Sequence, residues 1–135
     1  MMADLRGLIL HVEDERSVRK ALALLLTSVG YTVQGAASGP EALLLATEGL
    51  QPDVIIVDFN LDEHMNGAEV AEQIRGILRY TPPTIMLTGD LSNAEFPCVT
   101  GAPVWLNRKP MNPQLLLAAL PGLIELSRAT RALTR

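Results

Sequence analysis

Five short apolar runs, each bounded by turn-forming residues and separated by helical patterns, set the strongest limit on how this chain can fold. Leu5 to Val12, Tyr31 to Ala36, Val54 to Val57, Thr84 to Leu87 and Val104 to Asn107 are apolar, often β-branched, and read as buried strands. In the first intervening segment Val18, Leu22, Leu25 and Val29 recur at steps of four, three and four. That spacing puts them on one helical face, and Gly30 suits a left-handed C-terminal cap. The second helical segment opens with Ser38-Gly39-Pro40-Glu41, in which a serine oxygen can cap free amides while the glutamate reaches back. Asn66-Gly67-Ala68-Glu69 repeats that logic before a stripe of Val70, Ile74 and Ile77. The last helix begins at Asn112-Pro113, a cap followed by the one helical position where proline costs nothing. Pro121 is expected to kink or interrupt it, because proline removes an internal hydrogen bond and crowds the preceding turn. Between Leu91 and Pro103, the residues Pro97, Gly101 and Pro103 leave room for only a short or irregular helix.

Strand and helix alternating in this way imply a doubly wound α/β fold, a five-stranded parallel sheet with right-handed crossovers and helices on both faces, for which the order 2-1-3-4-5 is the one expected here. With 135 residues, 48% of them hydrophobic and 19% charged, the chain fits a single domain over residues 1–135. A formal net charge of −4 offers no broad basic surface, so direct nucleic-acid binding is not expected. The single cysteine, Cys98, cannot form an internal disulfide, which suits a reducing compartment. The N-terminal stretch is unlike a secretory signal, and no apolar run is long enough to span a bilayer. The expectation is a cytoplasmic protein without membrane insertion.

In the order 2-1-3-4-5 the chain reverses its direction of travel between strands one and three, and ligands bind beyond the carboxyl ends there. Glu13 and Asp14 follow strand one, Asp58 strand three, Thr88 strand four and Lys109 strand five, so all five should meet at one edge. Converging carboxylates repel by roughly 4 kcal/mol per pair at about 4 Å and an effective dielectric near 20. A cation must therefore sit among them. Direct carboxylates, a backbone carbonyl and waters suit octahedral magnesium, with manganese as the substitute. Zinc is less apt without thiolates or paired histidines. Lys109 and Thr88 add a cation and a hydroxyl donor, as a phosphoryl group with charge spread over its oxygens would need. The combination describes a phosphorylatable aspartate.

Glu13-Asp14, Asp58, Thr88-Gly89 and Lys109-Pro110, in that order on those elements, resemble the receiver domains of two-component signalling, and the match runs over essentially the whole chain. The resemblance implies the flavodoxin-like receiver fold. It implies that Asp58 accepts a phosphoryl group from the phosphohistidine of a histidine kinase or histidine phosphotransfer domain. Magnesium would be held by Asp14, Asp58 and the Asn60 backbone carbonyl, with Glu13 acting through a water. Thr88, the Gly89 amide and Lys109 would bind phosphoryl oxygens, and the Lys109-Pro110 peptide is often cis in the family. Asn60 and Asp90 take the places that tune phosphate lifetime. "TGD" at Thr88 to Asp90, "MNG" at Met65 to Gly67 and "RKPMNP" at Arg108 to Pro113 look like receivers attached to hybrid sensor kinases. Homodimer formation is left open.

Three departures stand out. Asp58 to Gly67 is nine steps where many receivers have eight, and no proline intervenes. The switch position that pairs with Thr88, commonly aromatic, is Leu106. The fourth connection is broken by proline. Asp62, Glu63 and His64 read as the rim of the lengthened loop, and Gly67 as a turn. His11 reads as a packed strand residue, Trp105 as core or half-buried surface, and Arg128, Arg131 and Arg135 as a basic helix end. Two other functions compete with the receiver, which would be no conventional enzyme since it catalyses only its own phosphotransfer and autodephosphorylation. One is a small haloacid dehalogenase-type phosphohydrolase, against which stands Asn60 where that family has a second aspartate. The other is a degenerate receiver acting only as an interaction module, against which stands the complete set of five site residues.

Overall fold

The run Val54–Asp58 (β3) is buried along its whole length, and it takes the centre of a parallel sheet. The computed structural model describes residues 6–61, 65–89, 104–109 and 111–133, with 104–108 described by their backbone alone. β1 (Leu8–Val12), β2 (Thr32–Ala36), β4 (Thr84–Thr88) and β5 (Val104–Arg108) complete the sheet in the order β2-β1-β3-β4-β5. β1 pairs on one side with β2, His11 opposite Gly35, and on the other with β3, His11 opposite Ile56. Asp58 stands opposite Leu87 on β4, and Thr88 opposite Arg108 on β5. Parallel pairing aligns the carboxyl ends of the strands, so residues just past each strand gather at one edge.

A sheet buried on both faces needs two cores. Leu10, Val12, Ile55, Val57 and Met86 point to the side covered by α2 (Gly39–Thr47) and α3 (Gly67–Ile77). Ile9, Val54, Ile56, Ile85 and Leu87 point to the other, with Leu26 of α1 (Arg16–Ser28) and Leu116, Leu120, Leu123 and Ile124 of α4 (Pro113–Leu133). The alternation along each strand is the period of two that a pleated backbone imposes. Among the described residues no helix is long and apolar enough to cross a membrane.

The helix starts follow their caps. Asn66 and Glu69 form a complete capping box, with Glu69 N–H donating to Asn66 Oδ1 at 2.9 Å and Asn66 N–H to Glu69 Oε1 at 3.0 Å. Asn112 Oδ1 accepts from the Gln114 N–H at 2.9 Å and caps α4. At α2 the Ser38 hydroxyl accepts from the Glu41 N–H at 3.2 Å, but Glu41 reaches one residue further back than a capping box requires, to the Ala37 N–H at 3.0 Å. Gly30, with φ +102°, takes the left-handed conformation expected after α1.

Three expectations are corrected. Pro121 does not end α4, which is assigned as one helix of 21 residues. Proline sits on the exposed side, where the carbonyl it leaves without a donor can turn to water, while Leu116, Leu120, Leu123 and Ile124 hold the buried side to the sheet. Ile77 does not join the stripe of Val70 and Ile74: it is 41% exposed at the end of α3. Arg128 and Arg131 are more than a basic helix end. Both reach the buried Asp53 carboxylate, at 3.5 and 3.3 Å, and Arg131 stacks on Tyr80 and donates to its hydroxyl. Asp53 also accepts from the Leu8 N–H at 2.9 Å, so this cluster ties α4 to the amino ends of β1 and β3. Leu5, the 91–103 connection with Cys98, the loop residues Asp62, Glu63 and His64, Asp90, Pro110 and Arg135 lie outside the described residues, as do the side chains of Trp105 and Leu106.

Candidate functional site

β1 ends where the Glu13 N–H donates to the Ala36 carbonyl at 2.9 Å, adding one more rung to the β1–β2 ladder. The loop that follows is held by Arg19 of α1, whose guanidinium donates to the Glu13 carbonyl at 2.8 Å and the Asp14 carbonyl at 3.3 Å. Glu13 is thereby fixed inside, wholly buried, and Asp14 outside, exposed. β3 delivers Asp58, 3% exposed, to the same edge. Glu13, Asp14 and Asp58 each present an oxygen within 4.8 Å of the other two.

Lys109 follows β5, and its N–H donates to the Thr88 carbonyl at 2.8 Å, which sets its side chain at the carboxylates. The ammonium donates to Asp58 Oδ2 at 2.7 Å and lies 3.6 Å from Glu13 Oε1. The other Asp58 oxygen, Oδ1, accepts from the Asn60 N–H at 3.1 Å, so both carboxylate oxygens are oriented. Thr88 is buried at the end of β4 beside β3, and Gly89 follows it exposed.

One cation does not balance three carboxylates. Burial first, and then the neighbouring Asp14 and Asp58, push the Glu13 carboxyl up to about 7. Burial depresses the Lys109 ammonium, but its bond to Asp58 and the charges of Asp58, Glu13 and Asp14 outweigh this and leave it raised. Glu13 Oε1 is buried without a hydrogen-bond partner among the described residues. An unmet buried oxygen, hard oxygen donors only and a surplus of negative charge fit a hard divalent cation such as magnesium.

Gly67 is a functional constraint of a different kind from the turn expected of it. It is the first residue of α3, with no positive φ, and its N–H donates to the Phe59 carbonyl at 2.8 Å. A Cβ there would run into the Asp58 carbonyl oxygen and stand 2.9 Å from Phe59 Cα. Close approach, not turn geometry, requires glycine, and only the placement of α3 against the Asp58 backbone makes this visible.

Residues 9–121 match the family model described as the response regulator receiver domain. The chain belongs to this family. The receiver is 35% identical over 118 residues to ycf27 of Guillardia theta, described as a probable transcriptional regulator, a match covering 86% of this chain and 44% of that protein. The receiver thus spans less than half the length of that curated relative. Among solved structures it is similar to the chemotaxis protein CheY4 of Vibrio cholerae, at 36% identity and a TM-score of 0.73, covering 87% of this chain and 98% of that one. It also resembles the N-terminal domain of a response regulator/sensory box/GGDEF protein from Carboxydothermus hydrogenoformans, at 29% identity and a TM-score of 0.79, covering 90% and 97% of the two chains. Membership places the receiver in two-component signal transduction, which implies a histidine kinase partner in general. The acidic pocket of Glu13, Asp14 and Asp58 is typical of the magnesium site of receivers.

Proposed function

We propose that this receiver takes a phosphoryl group from the phosphohistidine of a histidine kinase, or of a histidine phosphotransfer domain, onto Asp58 and signals through altered protein contacts. The observation that carries this reading is a buried acceptor carboxylate paired with Lys109 at 2.7 Å inside a group of three carboxylates. An Asp58 oxygen attacks phosphorus, the P–N bond of the donor breaks with its electron pair left on the imidazole, and an acyl phosphate forms. Lys109 balances charge on the acceptor before transfer and on the phosphoryl oxygens after it. The Thr88 hydroxyl and the Gly89 N–H bind the remaining oxygens. Asp14, Asp58, the Asn60 carbonyl and, through water, Glu13 would hold magnesium. When bound, the ion supplies positive charge opposite the carboxylates and the transferring group.

By their positions two residues after Asp58 and Thr88, Asn60 and Asp90 match the family places that tune the lifetime of the acyl phosphate. Leu106 replaces the commonly aromatic partner of Thr88, which supports a muted switch through β5. The "TGD", "MNG" and "RKPMNP" segments support a receiver attached to a hybrid sensor kinase, whereas the ycf27 relative is described as a transcriptional regulator. Phosphotransfer chemistry is the same in either setting. A haloacid dehalogenase-type hydrolysis has less support, since a second carboxylate two residues after Asp58 is replaced by Asn60.

Incubation with acetyl phosphate and magnesium, followed by intact-mass measurement, tests the assignment. Wild type should gain one phosphoryl group and Asp58→Asn none. Equal gain by both, or no gain by wild type, overturns it. Rapid multiple turnover of generic phosphomonoesters would favour the hydrolase.

A further inference from the structure

α1 starts with less local support than α2 or α3. Its N-cap, Glu15, makes no side-chain cap and no acidic residue stands in its first turn, whereas α2 has Ser38 with Glu41 and α3 has Asn66 with Glu69. Arg19, the fourth residue of α1, adds a cation near the end where the helix dipole favours an anion. Helix formation does not account for an arginine there.

The contacts of Arg19 are with the loop before the helix. A long helical side chain lies back over the preceding turn, and Nη1 of Arg19 reaches past the helix start to donate to the Glu13 carbonyl at 2.8 Å and the Asp14 carbonyl at 3.3 Å. The Arg19 N–H donates to the Glu15 carbonyl at 3.0 Å, so one residue ties down three consecutive carbonyls. Its half-buried stem lies against β2 at Gly35, where an added Cβ would stand 3.5 Å from Arg19 Cδ. Among the described residues the guanidinium makes no ion pair, although Glu13 and Asp14, whose carbonyls it binds, both carry carboxylates. The backbone is held, and the acidic side chains are left for another cation.

We propose that Arg19 is the positioning residue of the divalent-cation site: by fixing the Glu13 and Asp14 carbonyls it directs both acidic side chains to the pocket they share with Asp58. This rests on the phosphoacceptor reading and its metal site, and adds a residue that acts only through the backbone of Glu13 and Asp14. Charge and position give opposite signs. Were Arg19 merely a nearby cation, its removal would tighten divalent-ion binding. If it positions the acidic pair, removal loosens binding, and losing the outer support of a metal ligand typically costs roughly 10–100-fold.

Manganese titration of the metal-free full chain, with the free ion read by electron paramagnetic resonance, separates the two. Arg19→Met, which keeps the stem, should bind manganese about tenfold more weakly than wild type. Arg19→Lys should recover most of that loss, because both carbonyl bonds leave one nitrogen that an ammonium can replace. Asp53→Ala, destabilised at the far end of β3, should bind as wild type does where urea unfolding shows it folded, which separates positioning from lost stability. The proposal is overturned if folded Arg19→Met binds manganese as tightly as wild type or more tightly, if Arg19→Lys is no better than Arg19→Met, or if folded Asp53→Ala is weakened equally. Wild-type binding that Asp14→Asn leaves unchanged would instead remove the metal site itself, and this proposal with it.

Discussion

Gly67 lies against the carbonyl of Asp58 so closely that no side chain fits between them, and its own N–H is bonded to the next carbonyl, that of Phe59. The start of α3 and the acceptor end of β3 are therefore one mechanical unit. The Asn66–Glu69 capping box fixes the other side of the junction.

Gly67→Ala should be destabilising and should slow phosphorylation, although alanine is the better helix former by about 1 kcal/mol. Overpacking against backbone costs typically 1–3 kcal/mol, so the steric term wins and the loop bearing Asp58 shifts. Urea unfolding and phosphorylation rate, measured together, check this. A stabilised Gly67→Ala with wild-type rates would show that the contact is soft.

Lys109→Met keeps the aliphatic stem and removes the charge that faces Asp58 and Glu13. Phosphorylation should slow by about 100-fold, the usual cost of deleting a preorganised donor to a transferring group. Metal-free stability near pH 8 should fall by about 1–2 kcal/mol. That is less than for a fully buried pair, because the Lys109 side chain is 35% exposed. Full phosphorylation rate in this variant would remove Lys109 from the mechanism.

Asp53 sits at the opposite end of β3 from the acceptor, roughly 16 Å away for a five-residue strand. Asp53→Ala strips the shared partner from Arg128, Arg131 and the Leu8 N–H, and should cost about 3 kcal/mol in urea unfolding. Phosphorylation of the folded fraction should be unchanged. A loss of rate beyond the loss of folded protein would mean that the two ends of β3 are coupled.

The sheet and the gathering of Glu13, Asp14, Asp58 and Lys109 were legible in the sequence because both follow from periodicity and topology. Strand runs with a period of two, capped helices between them and carboxylates just past the strands leave few arrangements. Less legible was whatever depends on distance between segments far apart in sequence. Asp53 and Arg131 meet across 78 positions, and nothing in either neighbourhood announces the other. Gly67 looked like a turn because glycine usually is one, and only a packed helix start reveals close approach. That Pro121 would not interrupt α4 was not legible, because local propensity does not weigh the buried leucines that hold the helix through it. Glu13 was expected at the site edge, acting through a water, but its complete burial beside Lys109 depends on packing that the sequence does not display.

That burial gives Glu13 and His11 opposite effects on stability in metal-free protein. Glu13 titrates near 7 when folded and near the ordinary glutamate value when unfolded, so the folded state holds the extra proton between about pH 4.5 and 7. Its contribution therefore falls as pH rises through that window. His11 titrates near 4 when folded and near 6.5 when unfolded, so the unfolded state holds the extra proton and this contribution rises between about pH 4 and 6.5. In wild type the two slopes oppose one another. Glu13→Gln should expose the rising slope alone and His11→Phe the falling one, each on the order of 2–3 kcal/mol across its window. Urea midpoints with a chelator present, taken from pH 4 to 8, check both signs. Parallel profiles for the two variants would show that neither group carries the proton assigned to it.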